Sequence, residues 1–235
     1  MAKLTAQNMD VCYSGINTTP PARDRMYEPS GLTGLTDRQD KLLYMIYRNE
    51  GGYANLKGDS GKETYCGISR YYHPDWEGWA VVDRVKAAEG VVELRNNHKI
   101  PELKEQVYVF YFENFYKKMR IDDYKDIMMA ALVFHRGNSM GSGKMGMLVT
   151  RAVNRAFGKS FPEPSAAYYP TDEVFALVNG DRSDDVADNF VIVSKLRYKE
   201  IDDRNLRTND EWPGYYESWC RGIYKDIGYV KANFQ

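Results

Sequence analysis

The sequence predicts a mainly α fold around one core, with at most a small sheet. Three observations carry that expectation. Apolar residues recur at helical spacing in most segments after residue 36. Tyr124 to Phe134 is apolar almost throughout (Ile127, Met128, Met129, Ala130, Ala131, Leu132, Val133) and reads as the buried central helix. Tyr65-Cys66-Gly67-Ile68 reads as part of a small hairpin, and no internal repeat competes with this layout.

Taken in order, residues 1–35 are rich in Thr, Pro, Gly, Asn and Ser, with Thr18-Thr19-Pro20-Pro21 and Pro29-Ser30-Gly31 as breakers. This is the composition of an extended N-terminal arm. Such an arm is ordered only by packing on the domain or on a partner, which makes it a candidate docking segment. Thr36-Asp37-Arg38-Gln39 has the form of a capping box and opens a helix to Glu50. Leu43, Ile46 and Tyr47 share a face of that helix, and Glu50 continues the stripe. Gly51 and Gly52 end it. A short helix is expected around Val81 to Ala88. Pro101 suits a helix N1 position ahead of the stripe Leu103, Val107, Phe110, Tyr111 and Phe115. Arg136 to Lys144 is Gly- and Ser-rich. Further helices are expected over Met145–Phe157, Thr171–Val178, Asp184–Ile201 and Tyr215–Ile227.

A chain of 235 residues can bury a real core and fits one domain, or one domain plus an appendage. The net charge of -1 and the lack of a basic cluster argue against a nucleic-acid partner. Cys12, Cys66 and Cys220 are an odd set without metal-ligand spacing, as expected of free thiols from a reducing compartment. His73, His98 and His135 are scattered, so neither a zinc site nor any other cofactor is expected. Lys3 is followed by polar residues, so no signal peptide is expected, and no apolar run reaches membrane-spanning length. The 19 tyrosines suit a carbohydrate groove and suit ordinary half-buried surface equally well. Gly141-Ser142-Gly143-Lys144 lacks the spacing, the following Ser or Thr and the preceding strand of a phosphate loop. Trp76, Trp79, Trp212 and Trp219 read as core or rim.

The chemistry concentrates between residues 50 and 68. A carboxylate that follows a core stripe is directed at the protein, and burial raises the pKa of such a group, as a general acid near neutral pH requires. Asp59, in a polar loop, is expected to stay ionised. Hydrolysis of a glycosidic bond needs this pair: one carboxylic acid to protonate the leaving oxygen, and one carboxylate to attack the sugar or activate water. Glu50 suits the first task, Asp59 the second, and Thr64 can hold the water. Taken singly, a Glu before Gly-Gly is more often only a helix-end residue and an Asp beside Gly most often a turn former. Tyr53 and Tyr65 are candidates to line sugar subsites, with packing beneath the loop the alternative for Tyr53.

Glu50-Gly51-Gly52-Tyr53, Asp59-Ser60-Gly61, Thr64, Gly67 and Ile68 together resemble the signature of glycoside hydrolase family 108, phage and bacterial N-acetylmuramidases. The Glu–Asp–Thr order is also similar to the catalytic triad of phage-type lysozymes. Weaker likenesses follow at Phe115-Tyr116, Asn138-Ser139-Met140-Gly141, Ala152 to Ala156 and Tyr215 to Arg221. The likeness spans about residues 36–227 and leaves the arm outside. Ser60, Lys62, Tyr65 and Ser218 depart from the family pattern, and Lys62 bears on substrate preference through its charge near Asp59.

The resemblance implies a lysozyme-like helical domain over 36–235, with a catalytic half at 36–157 and a C-terminal helical half at 158–235. It implies catalytic Glu50, Asp59 and Thr64, and it adds Asn138, which either bonds an N-acetyl group or merely forms a turn. The implied substrate is bacterial peptidoglycan, cut at the MurNAc-β-1,4-GlcNAc bond with inversion, the carboxyls roughly 6.5–9.5 Å apart. The implied setting is a phage enzyme made without a signal peptide, either holin-released or virion-associated, with residues 1–35 as a possible contact to other virion proteins. The rival from another class is a structural or cargo protein of a phage particle; a lytic transglycosylase is the third reading.

Overall fold

The computed structural model describes residues 27–55, 63–95, 100–209 and 212–234. It is mostly helical, with one small antiparallel sheet, as the apolar periodicity predicts. Contacts divide the described chain into two compact units, 27–118 and 119–234. The helix ending at Phe157 packs most extensively against the long helix beginning at Ser183, so both fall in one unit.

In the first unit, α1 (Asp37–Asn49) begins at the expected capping box. The Gln39 amide donates to Thr36 Oγ1 at 3.2 Å and the Thr36 amide donates back to the Gln39 side chain at 3.0 Å. Leu42 through Tyr47 are buried. The described end of the arm is tied to this helix. The Tyr27 hydroxyl and the Ser30 amide both donate to Asp40 Oδ2, at 2.5 and 2.9 Å, and the Tyr27 ring meets Tyr44 edge-on. The rest of the arm, residues 1–26, lies outside the described residues.

The sheet has strands β1 (Tyr53–Asn55), β2 (Glu63–Tyr65) and β3 (Ile68–Ser69), in that order. Tyr53 pairs with Tyr65, Ala54 with Thr64 and Asn55 with Glu63; Thr64 and Tyr65 in turn face Ser69 and Ile68. Helices α2 (Gly78–Glu89), α3 (Val91–Leu94) and α4 (Pro101–Tyr111) follow. Pro101 sits in the first turn of α4, as expected, and α4 runs into a π-helical turn over Phe112–Tyr116. Both α1 and α2 pack on α4.

The second unit is a bundle of α5 (Ile127–Met140), α6 (Met145–Phe157), α7 (Asp172–Val178), α8 (Ser183–Thr208) and α9 (Tyr216–Asn233). Helix α8 lies against α5, α6 and α9. Helix α5 is the expected apolar one, capped by the Asp126 side chain at the Met129 amide, 2.6 Å. It continues past Phe134, however, into the Gly- and Ser-rich stretch, taking in Arg136 to Met140. The reason is a buried ion cluster. Arg136 and His135 both reach Asp226 of α9, at 2.5 and 2.7 Å. Asp226 has no exposed surface and Arg136 only 2%. Polar residues so paired extend a core helix instead of ending it.

Among the described residues no helix is long and apolar enough to cross a membrane, and no group of three His, Cys, Asp or Glu side chains is placed to hold a metal. Cys66 and Cys220 are buried thiols that form no disulfide among the described residues. Cys12 and His98 lie outside the described residues.

Candidate active site

Glu50 is the residue at which the chain leaves α1. Its amide still donates to the Ile46 carbonyl at 2.9 Å, but its backbone is extended, at φ -79° and ψ 136°. The helix thus ends one residue before the two glycines. Gly52 serves close packing: a β-carbon there would stand 2.4 Å from the carbonyl oxygens of Leu94 and Arg95. The half-buried Glu50 turns its carboxyl to the β2–β3 connection.

That connection is a two-residue turn, Cys66-Gly67, with φ of 48° and 76°. Two positive φ angles mark the hairpin turn whose twist matches the strands. Glycine takes this conformation freely, whereas Cys66 pays about 1–2 kcal/mol for it. Three bonds from the surrounding elements hold Cys66 there. Its amide donates to the Gly52 carbonyl at 3.2 Å, and its carbonyl accepts from the Tyr111 hydroxyl at 2.7 Å. Its thiol makes a long contact, 3.8 Å, with the Tyr47 carbonyl.

Gly67 is also sterically required. A β-carbon on it would stand 2.5 Å from the Tyr111 hydroxyl and 2.7 Å from Glu50 Oε2. The acid is therefore seated on the backbone of the turn, beside the Tyr111 oxygen.

Thr64 is half-buried at the centre of β2. Because strand side chains alternate, Tyr53, Glu63 and Tyr65 face the other side of the sheet. Tyr65 has no exposed surface and stacks on Trp76, ring centroids 6.2 Å apart. Tyr53 donates its hydroxyl to Glu63 Oε1 at 2.8 Å. The two tyrosines considered for sugar subsites are thus placed away from the Thr64 face, Tyr65 as core. Asn138 lies half-buried on the last turn of α5, in the second unit. Asp59 and Lys62 lie outside the described residues.

On the face shared with Tyr53 and Tyr65, Glu63 is the centre of an ion cluster. Glu63 pairs with Lys86 at 2.5 Å and with Arg70 at 2.6 Å, and Arg70 also pairs with Asp83 of α2 at 2.6 Å. Burial works to raise the pKa of Glu63, but the hydrogen bonds from Lys86 and Tyr53 and the charge of Arg70 prevail and hold it below the usual carboxylate value. This fixed carboxylate fastens β2 to α2.

Nothing local in the sequence signals the roles of Tyr111, Cys66 and Glu63 here: Tyr111 reads as one of a core stripe and Cys66 as part of the hairpin. Among the described residues, the structure brings Glu50, at the front of the 50–68 motif, into contact with Gly67, near its end.

Residues 43–141 match the family model described as Glycosyl hydrolase 108. That stretch carries a likeness to glycoside hydrolase family 108, a family of glycosidases. The matched segment contains Glu50, Thr64, Gly67 and Tyr111, and it spans most of the first unit together with α5 of the second. No curated protein matches the chain. The family 108 match agrees with the resemblance carried by the 50–68 motif, over a shorter stretch than the 36–227 expected.

Proposed function

We propose that this protein is a peptidoglycan hydrolase of the N-acetylmuramidase type, cleaving the MurNAc-β-1,4-GlcNAc bond. The observation that carries this reading is the seat of Glu50 on Gly67, inside a segment that matches a glycosidase family. A half-buried carboxyl fixed against backbone, at a helix end, is a group built to exchange a proton at a defined point.

In this mechanism protonated Glu50 donates to the glycosidic oxygen, which leaves as the 4-hydroxyl of GlcNAc. Asp59 takes a proton from a water, Thr64 orients that water, and its oxygen bonds to the anomeric carbon of MurNAc on the opposite face, inverting it. Glu50 ends ionised and Asp59 protonated, and solvent restores both.

The setting that fits this chemistry is a phage enzyme, released through the membrane at lysis or carried in the virion, with residues 1–35 the candidate contact to other virion proteins. A zymogram in a gel loaded with cell wall tests the reading. The wild type should clear its band and Glu50→Gln should not. No clearing by the wild type, or clearing that persists in the variant, defeats it. Release of 1,6-anhydro ends would replace hydrolysis by transglycosylation.

A further inference from the structure

We propose that Tyr111 is a positioning residue for Glu50, pinning the Cys66-Gly67 turn against which the Glu50 carboxyl sits. The inference rests on the muramidase reading of Glu50. A phenol hydroxyl carries one proton, and that of Tyr111 goes to the Cys66 carbonyl at 2.7 Å. Its oxygen and Glu50 Oε2 stand 2.5 and 2.7 Å from one point, the place where Gly67 lacks a β-carbon. They are neighbours across the glycine. The hydroxyl thus fixes the backbone of the turn at the point where the Glu50 carboxyl lies against it.

The ring is held for this task. Tyr111 is 1% exposed and packs on Phe110 and Phe115, with centroids 5.4 and 5.5 Å away. The bond to Cys66 also holds a non-glycine residue in the left-handed region, where it would not rest unaided. Loss of the hydroxyl frees the turn on which the Glu50 carboxyl sits. A misplacement of about 1 Å can cost about a hundredfold in rate.

The test uses the full chain and soluble, uncross-linked peptidoglycan strands, with release of reducing ends as the readout, well below each variant's melting temperature. Tyr111→Phe should lower kcat by about tenfold to a hundredfold and leave KM within about twofold of the wild type. Tyr108→Phe, on the same helix and equally buried, controls for loss of a phenol oxygen in this core and should keep the wild-type kcat. A Tyr111→Phe enzyme with wild-type kcat, a loss carried in KM, or an equal loss in Tyr108→Phe overturns the inference. A wild type that releases no ends, or a Glu50→Gln enzyme as fast as the wild type, defeats the muramidase reading instead.

Discussion

Glu50 and Gly67, 17 positions apart in the sequence, are in contact: a β-carbon on Gly67 would stand 2.7 Å from Glu50 Oε2. Gly67→Ala therefore does two things. It forces an L side chain into φ 76°, at about 1–2 kcal/mol, and it displaces the carboxyl or the Tyr111 hydroxyl. Both a lower melting temperature and a loss of wall-clearing activity are expected. A fully active Gly67→Ala enzyme would show that the carboxyl is not seated where we place it.

Much of the first unit was legible because its signals are local. The capping box at Thr36 and the proline opening α4 each act within one turn of helix, and both elements form where expected. The extent of α5 was not legible. His135, Arg136 and Asn138 look like the end of an apolar helix until Asp226, 90 residues beyond Arg136, supplies the buried counter-charge. Tyr65 failed for a similar reason. Its motif position invites a ligand role, but Trp76 covers it, and a ring stacked in the core leaves no trace in local spacing. The turn that receives Glu50 is likewise tertiary, since Tyr111 reaches Cys66 from 45 residues away.

The buried cluster in the second unit predicts a large stability effect at one position. Asp226→Asn leaves Arg136 buried without an opposing charge, and removing one partner of such a pair costs about 3–5 kcal/mol. Urea unfolding followed by far-ultraviolet circular dichroism should show the midpoint fall accordingly. A shift below about 1 kcal/mol would place the pair in solvent.

Acid should weaken the first unit through Glu63. Its folded pKa is depressed by Lys86, Tyr53 and Arg70 against the opposing effect of burial. Its contribution is fully present above the unfolded carboxylate value, about 4.3. It is lost as pH falls from there through the lower folded value. Glu63→Gln should be less stable than the wild type near neutrality and should lose less stability on acidification. Parallel stability curves for the two proteins between about pH 5 and pH 3 would contradict this.

The central claim is that Glu50 gives a proton to a glycosidic oxygen in peptidoglycan. Mass spectrometry of fragments released from purified sacculi tests it most directly, with wild type and Glu50→Gln run side by side. The account predicts fragments ending in reducing MurNAc from the wild type, and a yield lower by about 10²- to 10⁴-fold from a Glu50→Gln protein of unchanged fold. Fragments of the same kind and amount from both proteins would contradict it.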